Sequence, residues 1–190
     1  MAMFDGVAGR IAVRVMERTN AEAEREAVRR LAAGPGAKVL VMGFGPGIGL
    51  QHLLEGPVAE VVGVDPSQVM HDAAARRNAL ALAEGRLRLV KAQAADLPRD
   101  AGPFDGAIAV HTLQICRPFA PTAAMLADVL RPGAQLIGIT HGWAARKDYG
   151  EESLFTDAVA QGLAGAGFAQ ARHGRADAEG GTAVLLEAVR

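Results

Sequence analysis

Apolar positions along the chain occur in short runs rich in β-branched residues, separated by segments with helical spacing. The runs predict buried strands at residues 37–41, 60–64, 86–91, 104–110 and 135–140. Helical segments follow or separate them at residues 48–54, 66–83, 122–130 and 155–166, with Gly or Pro near their ends. Strands and helices that alternate at short intervals predict a mostly parallel sheet with helices on both faces.

The last two apolar segments, 168–173 and 182–189, have no helix between them. Without a crossover they can pair only as an antiparallel hairpin. The predicted fold class is therefore α/β: a doubly wound, mostly parallel, seven-stranded Rossmann-like sheet with a C-terminal antiparallel hairpin. Before the first strand, Thr19 and Glu22 have the spacing of a capping box and predict a helix to about residue 33. A weaker pattern predicts a helix over 7–17.

The first strand runs into glycines at positions 43, 45, 47 and 49. A glycine turn between a strand and a helix lets the backbone approach a ligand closely. A dinucleotide fingerprint requires G-x-G-x-x-G, but its last position would be Ile48 or Leu50 in the two available registers. What remains is G-x-G-x-G, the pattern of enzymes that bind S-adenosylmethionine.

Length, composition and charge argue against several classes of function. A chain of 190 residues predicts one domain with a sizeable core, and a formal net charge of −1 gives no basic patch for nucleic acid. The single cysteine, Cys116, excludes an internal disulfide and suits a reducing compartment. No apolar run reaches the roughly 20 residues that span a bilayer, and the N-terminus lacks a signal-peptide pattern. We expect a cytoplasmic protein with no membrane partner.

Doubly wound sheets bind ligands at the carboxyl ends of their strands. Asp65 ends the second strand, where a carboxylate can accept hydrogen bonds from ribose hydroxyls; alternatively it only caps the helix that Pro66 begins. Asp96, in the loop after the third strand, can accept a hydrogen bond from an exocyclic amine such as that of adenine. The alternative for Asp96 is an ordinary loop aspartate bonded to its own backbone.

Strands four and five end at His111 and His141. Histidine can act as a general base near neutral pH, so each is a candidate catalytic residue; the alternative is that each only lines the pocket. The other histidines, 52, 71 and 173, are predicted to be surface residues. No H-x-x-x-H or C-x-x-C spacing is present, so no metal site is predicted. Cys116 lacks a signature for activation and is predicted to be a small buried or pocket-lining side chain.

Taken together, these residues resemble the class I S-adenosylmethionine-dependent methyltransferases, in particular those that act on small molecules. The resemblance extends from about residue 37 to the C-terminus. It rests on the glycine segment at 39–47, on Asp65, on Asp96-Leu97-Pro98, on the strand at 104–110 and on the turn at 130–133. One such motif alone is weak evidence for this family, but all of them in the expected order along the chain are specific evidence.

The resemblance implies S-adenosylmethionine as the cofactor. In this family the glycine loop packs against the methionine part, the acid after strand two holds the ribose, and the loop aspartate holds the adenine amine. The implied cofactor-binding residues are Gly43, Phe44, Gly45, Gly47, Asp65, Pro66, Ala95, Asp96, Leu97 and His111. The chain departs from the family at Met42, where an acidic residue usually helps to recognise the cofactor's ammonium group; a methionine side chain cannot accept that hydrogen bond.

The implied reaction is an in-line methyl transfer to a small-molecule acceptor, in which the protein mainly positions the acceptor and excludes water. An oxygen acceptor would need a base, whereas an amine would not. The sequence after strand four, His111-Thr112-Leu113-Gln114, lacks the N-P-P-Y motif of nucleic-acid amino methyltransferases. The main alternative is a protein that binds S-adenosylmethionine without transferring its methyl group; a nicotinamide oxidoreductase and a cyclase are weaker alternatives.

Residues 1–33 are predicted to form a helical lid over the acceptor site, and residues 37–190 the cofactor-binding core. The candidate acceptor contacts are Phe4, Met16, Trp143 and Tyr149, with plain packing as the alternative. The segment 141–152 is predicted to be a short loop, too short for an inserted cap domain. We therefore expect either an open site or one closed by the second subunit of a homodimer.

Overall fold

The computed structural model describes residues 19–178 and 181–190, which form one seven-stranded sheet between layers of helices. The strands are β1 (Lys38–Met42), β2 (Glu60–Val64), β3 (Leu87–Val90), β4 (Phe104–Val110), β5 (Leu130–His141), β6 (Ala169–Ala178) and β7 (Gly181–Val189). Their order is β3-β2-β1-β4-β5-β7-β6. Strands β1 to β5 pair in parallel, and β7 pairs antiparallel with both β5 and β6. The predicted fold class and hairpin are confirmed.

The helices cover both faces of this sheet. They are α1 (Ala21–Leu31), α2 (Ile48–Leu54), α3 (Gln68–Arg77), α4 (Ala79–Ala83), α5 (Ala120–Val129), α6 (Gly142–Tyr149) and α7 (Glu152–Gly165). Short 3₁₀ turns follow β3 at Ala94–Asp96 and Arg99–Ala101, and another follows β4 at Leu113–Ile115. Within the described ranges, no helix is both long and apolar enough to span a bilayer.

Alternate residues of β1 divide the core into two apolar clusters. Val39 and Val41 pack in the cluster formed with α1, α2 and α3, whereas Leu40 and Met42 pack in the cluster formed with α5 and α7. This alternation follows from the two-residue period of a strand, and both faces are apolar because helices cover both. The carboxyl end of β1 is thereby held rigidly where the glycine loop begins.

Three predictions about helix ends were wrong. Asn20, not Thr19, is the N-cap of α1, and the Thr19 hydroxyl bonds the Asn20 side chain instead. Ser67, not Asp65, caps α3 by accepting a hydrogen bond from the amide of Met70. The helix predicted over 66–83 is broken at Asn78 into α3 and α4, because the Asn78 side chain turns to bond the glycine loop.

The C-terminal half contains the largest differences from prediction. The segment 141–152, predicted to be a loop, contains helix α6, whose eight residues are too few to show a helical apolar periodicity. Strands β5 and β6 are longer than predicted, since each gains pairing partners beyond its apolar run. The predicted limits of the strand at 60–64, the helix at 48–54 and the strand at 104–110 are confirmed.

Part of the predicted lid belongs to the core. Helix α1 buries Ala23, Ala27 and Leu31 against the sheet, in the same cluster as Val39 and Ile108. The prediction that residues 1–33 form a lid therefore does not describe α1. The remainder of that segment, including the candidate acceptor contacts Phe4 and Met16 and the helix predicted over 7–17, lies outside the described residues.

Candidate functional site

The segments that follow β1, β2, β3 and β4 meet at the carboxyl edge of the sheet, because these strands are parallel and in register. The glycine loop lies at the centre of this edge, since β1 is the strand between β2 and β4. Its first amide, at Gly43, donates to the carbonyl oxygen of Val64 at the end of β2, at 2.8 Å. The predicted site residues at this edge are therefore neighbours in the fold.

The glycine loop needs its glycines for two different reasons. Gly43, Gly45 and Gly47 have φ angles of +62°, +51° and +86°, a region that L side chains rarely adopt. In addition, a Cβ at residue 43 would collide with the hydroxyl group of Thr112, and one at residue 47 would lie 2.8 Å from the Asn78 amide nitrogen. Glycine at positions 43 and 47 therefore allows the loop to pack closely against Thr112 and Asn78.

Three side chains outside the loop fix its position. The Arg77 guanidinium donates to the carbonyl of Pro46 at 3.1 Å, and the Asn78 amide donates to that of Gly47 at 3.2 Å. The Thr112 hydroxyl donates to the carbonyl oxygen of Met42, at 3.0 Å. None of these three contacts was predicted from the sequence; the only sequence signal was Asn78, an asparagine that interrupts an otherwise helical segment.

The Asp65 carboxylate links the glycine loop to the start of α3. One oxygen accepts a hydrogen bond from the Gly45 amide at 3.1 Å, and the other accepts from the Ser67 amide at 2.9 Å. The residue is only 7% exposed, and burial raises the pKa of its carboxyl group although the two amide hydrogen bonds oppose this. Each oxygen keeps a lone pair, so the carboxylate can still accept hydrogen bonds from a ligand.

His71 was predicted to be a surface residue, and this prediction was wrong. Its ring is half-buried and packs edge-on against Phe44, with the ring centroids 4.9 Å apart. Its Nε2 lies 3.0 Å from the carbonyl oxygen of Asp65. The sequence signal was position: His71 is one helical turn beyond Ser67, on the side of α3 that faces Asp65.

The remaining predicted cofactor-binding residues differ in how far they are exposed at the surface. Asp96 ends the 3₁₀ turn after β3 and is exposed, Ala95 is half-buried, and Pro66 is exposed. The side chains of Phe44 and Leu97 are 1% and 2% exposed and pack in the core. Neither residue therefore presents surface to a ligand in this structure.

Met42 is completely buried in the apolar cluster shared with Leu113. Its side chain faces the helices rather than the loop surface, and its carbonyl oxygen accepts the Thr112 hydrogen bond. A carboxylate placed at residue 42 would be buried among apolar groups, at a large desolvation cost. In this structure, Met42 thus contributes packing to the end of β1.

His111 follows β4 in a strained backbone conformation, with φ at +50°. Its Nδ1 accepts a hydrogen bond from the backbone amide of His141 at 3.2 Å, so the neutral ring carries its proton on Nε2. That Nε2 is buried and has no hydrogen-bond partner among the described residues. Burial, with a smaller contribution from His141, lowers the pKa of His111 to about 3.

The aromatic rings of His111, His141 and Trp143 follow one another with nearly parallel planes. The first two rings stack with centroids 4.3 Å apart and an interplanar angle of 24°. Trp143 lies at 6.2 Å from His141 and at 23° to it. His141 and Trp143 also line a cavity of about 420 Å³ with Arg146, Glu152 and Arg175.

Two other candidates lie in packed surroundings. Tyr149 packs against Phe155 and under the guanidinium of Arg117, 4.6 Å from the ring centroid. Cys116 is half-buried and its thiol donates to the carbonyl of Thr112; burial raises the pKa of this thiol. In the part of the chain that the structure describes, no cluster of His, Cys, Asp and Glu is arranged to hold a metal ion.

A doubly wound sheet with a glycine loop after β1, a buried acid after β2 and an antiparallel β6–β7 hairpin defines the class of nucleotide-cofactor folds used by methyltransferases. The sequence model of the methyltransferase domain family matches residues 39–133. The chain therefore belongs to this family, the class I S-adenosylmethionine-dependent methyltransferases.

Similarity to individual proteins agrees with this family. The chain is 31% identical over 113 residues to the O-methyltransferase cnsE of Penicillium expansum; the match covers 60% of this chain and 41% of the relative. The chain thus spans about two fifths of the length of that curated relative.

Solved structures share the fold at low identity. Magnesium protoporphyrin IX methyltransferase of Synechocystis, with bound S-adenosylmethionine, has a TM-score of 0.68 and 23% identity, covering 98% of this chain and 85% of that one. The methyltransferase in the Haloferax volcanii complex with the activator Trm112 has a TM-score of 0.76 and 17% identity, covering 98% and 97%.

S-adenosylmethionine is the cofactor that this family uses, and the residues at the carboxyl edge fit it. Asp65 is buried and has free lone pairs, Gly43 at the start of the glycine loop is half-buried, and Asp96 offers a second, exposed carboxylate. The Arg77 guanidinium is bonded to the carbonyl of Pro46 in the loop and to the side chain of Gln51 in α2.

Proposed function

We propose that this protein transfers the methyl group of S-adenosylmethionine to a small-molecule acceptor. The observation that carries the proposal is the Asp65 carboxylate, buried at the end of β2 and bonded to the Gly45 amide of the glycine loop. A buried carboxylate costs stability, and here it ties the loop to α3 while keeping hydrogen-bonding capacity for a ligand. Such an arrangement suits recognition of ribose hydroxyls.

The proposed roles follow the family resemblance residue by residue. Gly43, Gly45 and Gly47 accommodate the methionine part of the cofactor, Asp65 accepts hydrogen bonds from the ribose, and Asp96 accepts one from the adenine amine. The cofactor supplies a methyl group already activated by the positive sulfonium. The protein therefore has to orient the acceptor and keep water away, rather than activate the donor.

The two rim histidines have different proposed roles. His111 already carries a proton on Nε2, and its Nδ1 faces a backbone amide that cannot give up its proton. This geometry favours His111 as a hydrogen-bond donor that positions a ligand, instead of as a base. His141 lines the cavity and is therefore our candidate for the general base when the acceptor atom is an oxygen.

A small molecule is the acceptor class that the described surface favours. The cavity next to His141 has a volume of about 420 Å³, within the range of about 300–1,000 Å³ typical of small-molecule pockets. The formal net charge of −1 offers no general attraction for a nucleic-acid backbone.

Calorimetric titration with S-adenosylmethionine, S-adenosylhomocysteine and NADH tests the cofactor assignment. We expect micromolar binding of both adenosyl compounds and none of NADH. Asp65→Ala should weaken S-adenosylhomocysteine binding at least about tenfold, equivalent to about 1.4 kcal/mol. Asp157→Ala is the matched control, since Asp157 is an exposed aspartate on α7. Equal affinities of the two variants would contradict the site assignment.

The histidine roles are tested once an acceptor has been found by following S-adenosylhomocysteine formation. For an oxygen acceptor, His141→Gln should reduce kcat by about 10² or more, the usual contribution of a general base. His111→Gln should leave kcat largely unchanged and raise KM only slightly, because glutamine keeps a side-chain N–H donor, whereas His111→Ala should raise KM more. A kcat loss in His111→Gln as large as that in His141→Gln would reverse the two roles.

A further inference from the structure

We propose that the cavity beside His141 binds a planar aromatic acceptor that bears a carboxylate group. In this arrangement Trp143 provides the stacking surface, and Arg146 and Arg175 bind the carboxylate. The inference rests on the proposed function, because it names the class of acceptor for that same site.

Trp143 is the first observation that points to an aromatic ligand. It is the only tryptophan in the chain, and 62% of its surface is exposed. A large aromatic ring left exposed at the rim of a polar cavity is a common feature of binding sites. Its ring plane lies at 23° to that of His141, with the two ring centroids 6.2 Å apart, so a planar ring lying on Trp143 would be nearly parallel to His141 as well.

The charges that line the cavity give the second observation. Arg146 and Arg175 each contact a different oxygen of the Glu152 carboxylate, with Arg175 Nη1 at 2.7 Å from Oε2. The two arginine side chains are 55% and 58% exposed, and that of Glu152 is 20% exposed. Two guanidinium groups share one carboxylate, which leaves one positive charge in excess, and each guanidinium has five N–H donors, more than its contact with Glu152 uses.

Glu152 holds the two arginines in place. It lies against Gly142, where an added Cβ would collide with the carboxylate and lie 3.1 Å from the Arg146 guanidinium. The glutamate is thus packed against the start of α6, close to His141, instead of extending into solvent. Guanidinium groups held in this way can bind a second carboxylate through paired, charge-assisted hydrogen bonds at a low entropic cost.

The arrangement also relates the acceptor to the candidate base. His141 belongs both to the ring stack and to the cavity lining, whereas the arginines come from α6 and β6. In the proposed arrangement the ring lies against Trp143 with its carboxylate on the arginines, and its other edge occupies the part of the cavity that His141 lines. A phenol hydroxyl on that edge would lie on the histidine side of the cavity.

Three probe molecules separate the two parts of the proposal. The first is 4-hydroxybenzoate, which is aromatic and anionic; 4-hydroxybenzyl alcohol is aromatic but neutral, and cyclohexanecarboxylate is anionic but not aromatic. Because Trp143 is the only tryptophan, its fluorescence reports directly on a ligand that stacks on it. We expect 4-hydroxybenzoate to quench this fluorescence and to bind at least about tenfold more tightly than either analogue.

The variants are Trp143→Leu, Arg146→Gln and Arg175→Gln. Each should weaken calorimetric binding of 4-hydroxybenzoate about tenfold, with little change for the analogue that lacks the corresponding group. Arg172→Gln is the matched control: Arg172 is an exposed arginine of β6, three residues from Arg175 and so on the other face of the strand. Its affinity for 4-hydroxybenzoate should equal that of the unmodified protein.

Equal binding of all three probes, or unchanged affinity in both arginine variants, would overturn the proposal. S-adenosylhomocysteine affinity, measured on the same samples, separates this failure from failure of the proposed function. Normal S-adenosylhomocysteine binding without preference for 4-hydroxybenzoate rejects only the acceptor class. Absent S-adenosylhomocysteine binding rejects the proposed function, on which the acceptor proposal rests, and so rejects both.

Discussion

The side-chain amide of Asn78 donates hydrogen bonds to two carbonyl oxygens, that of Gly47 at 3.2 Å and that of Ala74 at 3.0 Å. Both amide hydrogens are therefore used, and one of them reaches 31 positions back along the chain to the glycine loop. Asn78 is buried and also forms the break between α3 and α4. The conformation of the loop thus depends on where this helix is interrupted.

Replacing Asn78 tests this dependence. Asn78→Ala removes both of these side-chain hydrogen bonds, although the Gly47 carbonyl keeps the one from the Gln51 amide. We expect a loss of about 1–3 kcal/mol in the free energy of unfolding, since a buried hydrogen bond contributes about 0.5–1.5 kcal/mol. A loosened loop should also weaken S-adenosylhomocysteine binding several-fold. Urea unfolding and calorimetry measure the two effects. Asn20→Ala is the control, because the Asn20 side chain makes no capping hydrogen bond. Similar losses in both variants would refute the role of Asn78.

Gly43→Ala should be costly because of both backbone strain and a collision. The φ of +62° costs a non-glycine residue about 1–2 kcal/mol, and the collision with Thr112 adds about 1–3 kcal/mol. Gly36→Ala separates the two effects: its φ is +79°, but an added Cβ would meet nothing within 4 Å. We expect Gly43→Ala to lose clearly more stability than Gly36→Ala in urea unfolding.

The collision itself can be removed by a second substitution. Thr112→Ala takes away the hydroxyl and methyl groups that a Cβ at residue 43 would meet. The loss in the free energy of unfolding of the double variant Gly43→Ala/Thr112→Ala should therefore be smaller than the sum of the two single-variant losses, by at least about 1 kcal/mol. Strict additivity would show that Thr112 does not restrict residue 43.

The ionisation of Asp65 should be visible in the pH dependence of stability. Burial raises the pKa of this carboxyl in the folded protein, so the folded state holds the proton more tightly than the unfolded state. Its contribution to stability is then fully present below the unfolded pKa of about 3.9 and is lost as the pH rises through the folded pKa. The free energy of unfolding of the unmodified protein, minus that of Asp65→Asn, should fall as the pH rises from about 4 toward neutrality.

This difference between the two unfolding free energies isolates Asp65, because the titration of the other acidic residues contributes equally to both proteins and cancels. The hydrogen bonds changed by asparagine shift the difference by a constant, whereas ionisation changes its slope with pH. Chemical unfolding at several pH values without cofactor measures the slope. A difference that increases with pH would mean that the amide hydrogen bonds of Gly45 and Ser67 outweigh burial.

The protonation of His111 can be observed directly. With the pKa lowered to about 3, its ring should remain neutral around neutral pH, with the proton on Nε2. Nitrogen NMR of the ¹⁵N-histidine-labelled protein distinguishes the two ring nitrogens and follows titration. The His111→Gln variant identifies the signal by its disappearance. A His111 ring that titrates near neutral pH would restore it as a candidate base.

The fold was predictable because its determinants are local. The apolar runs at 60–64 and 104–110 set the limits of two strands. Glycines near the ends of the segments mark where strands and helices alternate. The missing helix between the last two strands was enough to predict an antiparallel hairpin. Helix α6 was missed since its eight residues carry little apolar periodicity, and only packing against its neighbours stabilises it.

The site was predictable where strand ends mark it and unpredictable where side chains reach across the fold. Asp65, His111 and His141 could be placed at one edge because parallel strands end there. The contacts of His71, Asn78 and Arg175 with that edge had no comparable signal. Each depends on the orientation of a helix or hairpin relative to the sheet, which the sequence pattern does not specify.

The sequence by itself determined the class of fold, the glycine loop and the acids beside it, because glycine conformational freedom and strand–helix periodicity act over a few neighbouring residues. Only the tertiary structure decided which nitrogen of His111 bears the proton, since the amide of His141 that fixes it is 30 positions away. The tertiary structure likewise brought Arg146, Glu152 and Arg175 around one cavity. Hydrogen bonds and ion pairs require particular distances and angles, and these exist only after the sheet and its helices have packed.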